Sequence, residues 1–136
     1  MIETVQTALL DALQQQFPDY DVEVPESLRR YEFLDPDAAI LVVLRNAGWG
    51  ESPVLASTSR PVLPEFALMS LTHGHHAEPG AIEVLRGIED AVELLEVPGT
   101  GPHPGGAIKI KDQFYDSELP GGGVVYVTLV QLTRDT

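Results

Sequence analysis

The chain contains no cysteine. Disulfides, thiolate catalysis and cysteine-ligated zinc are therefore excluded, and a reducing, cytoplasmic setting is favoured. Basic residues are scarce, with 8 Lys and Arg against 21 Asp and Glu and a formal net charge of −13. A dedicated DNA or RNA binder needs a cationic footprint. The close basic pairs here, Arg29–Arg30 and Lys109/Lys111, make no such patch, so specific nucleic-acid binding is not expected. The acidity serves solubility, or a surface that keeps polyanions from sticking. Long apolar runs are also missing. Ala38 to Leu44 and Val124 to Val130 fall far short of the roughly 20 residues of a spanning helix, so no membrane crossing is expected. The first residues carry Glu3 and Asp11 and lack the basic and apolar regions of a secretory signal, so no cleaved leader is expected.

The composition that remains is that of a folding chain. It has 136 residues, 43% hydrophobic and 21% charged, which suits one domain over residues 1–136 with its own core. Ile2, Val5, Leu9, Ala12 and Leu13, continued by Phe17, trace one face of an amphipathic helix that Pro18 should end. A short strand is expected at Val22 to Val24. Ala38 to Leu44 is an unbroken apolar run rich in β-branched residues and reads as a central strand. Residues 46–60, with Trp49 between two glycines, read as a long loop or irregular hairpin. Between Arg60 and His73 the apolar content predicts another strand, broken or bulged near Pro64.

Ala81, Val84, Leu85, Ile88, Ala91, Val92 and Leu95, spaced by three and four after Pro79, predict a second helix reaching about Glu96. Glu93 and Glu96 would lie at its unfavourable end, where a basic neighbour could compensate them. The Pro- and Gly-rich stretch 98–106 is an irregular connection. Ile108 and Ile110 then alternate with Lys109 and Lys111, giving a half-buried strand whose lysines blunt a sheet edge. Pro120 and the three glycines after it turn the chain into a last strand, Val124 to Leu132, forming a hairpin. Both faces of that strand are apolar. One should meet helices, and the other fits either a neighbouring subunit or burial within the chain.

No catalytic constellation emerges, and no enzyme is expected. His73-Gly74-His75-His76 is the most tempting cluster, since neighbouring imidazoles can bind zinc, nickel or copper, but a site needs further fixed ligands such as Glu78 or His103. It reads more simply as a solvated loop, and no metal or cofactor is expected. Residues 99–106 are glycine-rich without a following Gly-Lys-Ser/Thr, so they do not form a nucleotide loop. Ser57, Ser59 and Ser70 lack a nucleophile elbow. Asp35-Pro36-Asp37 reads as a turn. Trp49 fits a core plug and an interface anchor equally well.

The strand Leu68-Met69-Ser70-Leu71-Thr72, Pro79-Gly80 leading into a helix that runs to Leu95, the Gly/Pro-rich connection, Asp112-Gln113-Phe114 and the closing Val124-Val125-Tyr126-Val127-Thr128-Leu129 together resemble the small tail proteins of Mu-like contractile-tailed bacteriophages, in the tail-terminator-like family. The likeness covers most of the chain in order and period. It departs around the apolar Trp49 loop and at the last strand, which stops almost at the C-terminus.

The resemblance implies an α+β fold, a mostly antiparallel curved sheet of about four to five strands flanked by two helices. It implies a homo-oligomeric ring, commonly a hexamer, that caps the tail tube, meets tube, sheath and neck proteins, and lets the genome pass. Such a protein belongs to the virion tail and is assembled in the host cytoplasm. Trp49, Arg60, Lys109, Lys111 and Tyr126 are the candidate subunit-interface residues. Another neck, minor tail or baseplate protein fits the same residues. The competing readings are a small cytosolic metal-binding protein or enzyme using His73 to His76, and an adaptor that binds one partner as a monomer.

Overall fold

A computed structural model describes residues 2–25, 38–46, 64–73, 80–99, 105–118 and 123–134. In chain order these form α1 (Ile2–Gln16), β1 (Asp21–Glu23), β2 (Ala38–Asn46), β3 (Glu65–His73), α2 (Ala81–Val92), β4 (Glu96–Val97), β5 (Gly106–Glu118) and β6 (Gly123–Arg134). The strands make one six-stranded sheet in the order β1-β2-β3-β6-β5-β4. It is a curved, mostly antiparallel half-barrel flanked by two helices, the α+β class expected. Only β1 with β2 is parallel. The sheet exceeds the expected four to five strands through the two-residue β4, too short to carry an alternation signal.

Each element follows from its apolar period. In α1 the buried Val5, Leu9 and Leu13 recur every four residues, and the helix stops one residue before Phe17-Pro18. In α2 the buried positions are Ala81, Val84, Gly87, Ile88 and Val92. Both helices pack on one face of the sheet, where their side chains join Ile40, Val42, Phe66, Leu68, Ile108, Val130 and Leu132 in one core. Gly87 sits against Phe17, the residue after α1. A Cβ there would stand 2.6 Å from Phe17 Cζ, closer than real Cβ atoms come, so a larger residue obliges the half-buried Phe17 ring to shift.

The opposite face holds a second cluster, Ala39, Leu71 and Val125, with Met69 packed against it. Val125 is 2% exposed and Val127 7%. Burial within the chain therefore accounts for these two residues, which are not an open apolar face awaiting a subunit.

Strand β3 begins at Glu65, just after Pro64; residues 60–63 lie outside the described residues, and the register shifts in β2 between Leu44 and Asn46, opposite Glu65. One boundary differs from the sequence expectation. Helix α2 ends at Val92, four residues before Glu96. Glu93 takes φ −65° and ψ 127°, Leu94 takes φ 63°, and the Leu95 N–H donates to the Val92 carbonyl at 3.0 Å. That is a type II turn with leucine where glycine is normally needed. What holds it is β5: the Leu94 N–H donates to the Ile108 carbonyl at 2.9 Å, and the Ile108 N–H to the Leu95 carbonyl at 2.8 Å. Backbone pairing with the sheet outcompetes a local sequence with good helix formers and no stop signal.

Candidate functional site

Among the described residues, the far half of β5 is a long stretch of strand with mostly exposed side chains. Its near half is covered on the outer side by β4, which pairs Glu96 with Ala107 and Val97 with Gly106, and by the Leu94–Leu95 turn. From Lys111 to Glu118 only Gln113 and Ser117 are half-buried, and the other six side chains are exposed. Phe114 and Tyr115 are among the exposed large hydrophobic residues. Such an edge is a template for pairing with another chain unless something blunts it.

This edge is blunted in two ways. Register shifts fall between Ile110 and Asp112 and again between Tyr115 and Ser117, so Lys111 and Asp116 are the extra residues of two bulges. Bulges twist an edge and interrupt its ladder. In addition, carboxylates occupy two of its donors. The Ile110 N–H donates to Glu93 Oε2 at 2.8 Å, and the Gln113 N–H to Asp112 Oδ1 at 2.9 Å. At the end of α2, where a basic neighbour could compensate Glu93, the structure supplies this backbone N–H as a partner.

A second feature lies on the face away from the helices, at the end of the sheet where β3 begins. Glu65 alternates with Phe66, whose ring is in the helix-side core, so its carboxylate is directed to the other face. The Glu65 side chain is 10% exposed, and its Oε1 accepts from Arg45 at 3.4 Å and from Lys111 at 3.4 Å. Gln131 faces Glu65 across one pairing, and Lys109 faces Gln131 across the next. Arg45, Lys109 and Lys111 thus form a cationic corner around one buried carboxylate, in a protein with 8 basic residues. The bulge at Lys111 lets that side chain reach Glu65, two strands away.

The expected interface residues separate. Lys109 and Lys111 come together here and are exposed. Tyr126 lies on interior strand β6, half-buried, its ring edge-on to Tyr115 at 5.8 Å between centroids. Trp49 and Arg60 lie outside the described residues, as do His75, His76, Glu78 and His103; of His73 the backbone closes β3 opposite Gly123. Among the described residues, no group of three or more His, Asp or Glu side chains is placed to hold a metal ion.

Under α2 a polar chain replaces part of the core. Gln113 Nε2 donates to the Leu85 carbonyl at 3.3 Å and to Thr128 Oγ1 at 3.2 Å, while Ser70 Oγ donates to the Tyr126 carbonyl at 3.3 Å. These bonds satisfy buried hydroxyls and tie helix to sheet. Glu65 and Leu94 are the residues that sequence reasoning missed, and for Glu93 it missed the backbone partner. The signal for Glu65 was present, a lone acid heading the alternating row Ala67, Met69, Leu71. Compared with known proteins, the chain matches no family model and no curated sequence.

Proposed function

We propose that this protein is an architectural subunit of a contractile phage tail, a tail-terminator-like protein that assembles into a ring, caps the tail tube and joins it to the neck. The observation that carries this reading is the architecture: a curved, mostly antiparallel sheet with two helices on one face, the fold implied by the resemblance of the β3, α2 and β6 sequences. The reading needs no chemical step and no cofactor. Its working parts are surfaces: the cationic corner at Glu65 and the exposed side chains of β5, whose bulged edge is blunted against strand pairing, are where subunits would meet.

The net charge of −13 supports the same role, because a ring of strongly negative subunits repels DNA and does not retain it during passage. The test is imaging of tail tubes by negative stain with the purified protein added. Rings seated on tube ends, with tube growth arrested, are the expected result. Tubes that keep growing with bare ends would remove the terminator role.

A further inference from the structure

We infer that copies of this chain associate head to tail, the cationic corner of one seating on the acidic outer side of helix α2 of the next. The corner is Arg45, Lys109 and Lys111, all exposed, on the face of the sheet away from the helices. The acidic side is Glu83, Glu89 and Asp90, exposed on α2 with one base, Arg86, among them, so that it keeps a net negative charge; α2 packs on the other face. One molecule therefore carries complementary charge on two opposite faces, separated by its own sheet, so its corner cannot satisfy its own α2.

Two features make the second copy the partner the corner fits. At about 0.1 M salt the screening length is about 10 Å, so local patches decide docking while the distant part of the −13 charge is damped. The acids of β5, Asp112, Asp116 and Glu118, lie on the same strand as the lysines, whereas those of α2 are exposed on the opposite face of the sheet. A contact between two different surfaces is heterologous, and repeated it closes a ring or grows a filament. This inference deepens the ring reading by naming the surfaces, and it rests on that reading in requiring self-association.

The experiment is light scattering on size-exclusion fractions of the full chain and two variants, over a range of salt. The wild type should assemble at low salt and dissociate as salt rises. Lys109→Glu/Lys111→Glu and Glu89→Lys/Asp90→Lys should each lose assembly alone, and an equimolar mixture should regain it, because each reversed surface then finds its complement. Lys109→Glu alone leaves both cations on Glu65 and serves if the double variant fails to fold by circular dichroism. Assembly indifferent to these changes, a mixture that stays dissociated, or a wild type monomeric at all salts would overturn the inference. Capped tubes with charge-indifferent assembly would overturn it and leave the terminator reading standing. Charge-dependent assembly that caps no tube would support it and count against the terminator.

Discussion

Glu93, in the turn after α2, accepts the backbone N–H of Ile110 through its Oε2 at 2.8 Å, so one carboxylate both holds the end of a helix to the sheet and blocks a donor on the exposed strand edge. The bond is solvent-exposed, which places its net worth below the usual range for a bond to a charged group, at about 1 kcal/mol. Glu93→Ala should lower the thermal midpoint by a few degrees, and Glu93→Gln, which keeps an acceptor oxygen, should recover most of it. Equal losses in both variants would mean that charge, not the hydrogen bond, matters there.

Leu94 supplies the opposite kind of prediction. It holds φ 63° and is 72% exposed, so its side chain contributes little packing while its Cβ is strained. Leu94→Gly should therefore stabilise the isolated chain by about 1 kcal/mol, because the cost of a left-handed backbone disappears. Urea unfolding of the two proteins measures this. A less stable glycine variant would show that the exposed leucine makes an attachment worth more than the strain.

Gly87→Ala should destabilise although alanine is the better helix former by about 1 kcal/mol. The new methyl would press on the Phe17 ring, which itself packs on Tyr20 at 5.0 Å between centroids. Overpacking of this kind costs about 1–3 kcal/mol. Combining it with Phe17→Leu should restore part of the loss, and a double-mutant cycle by denaturant unfolding reads the coupling.

Glu65→Gln should cost about 1–2 kcal/mol. Its carboxylate is buried, but Arg45 and Lys111 are half-exposed and partly solvated, so the full penalty of a broken interior ion pair does not apply. Lys111→Ala should cost less than Glu65→Gln, because Arg45 still serves the carboxylate. A larger loss from Lys111→Ala would locate the energy in the bulge itself.

Legibility from sequence followed the range of the forces involved. Helix α1, the first part of α2, β2 and the β5–β6 hairpin repeat apolar residues at their own period, so local pattern and tertiary core agree there. The end of α2 was misread because Glu93, Leu94 and Leu95 are locally good helix residues, and only the backbone of Ile108, distant in sequence, turns them away. Strand β4 was missed for the same reason. Lys109 and Lys111 were recognised as edge lysines, but their meeting with Arg45 around Glu65 depends on strand order and on a bulge, neither of which is written in local spacing.

The proposed ring at the end of a tail tube is open to mass measurement by light scattering, on the protein alone and with tube protein. A discrete closed oligomer, alone or formed on tube ends, whose mass does not grow with concentration is the expected result. A monomer at every concentration that leaves tube protein unchanged would remove the ring and its role at the tube end.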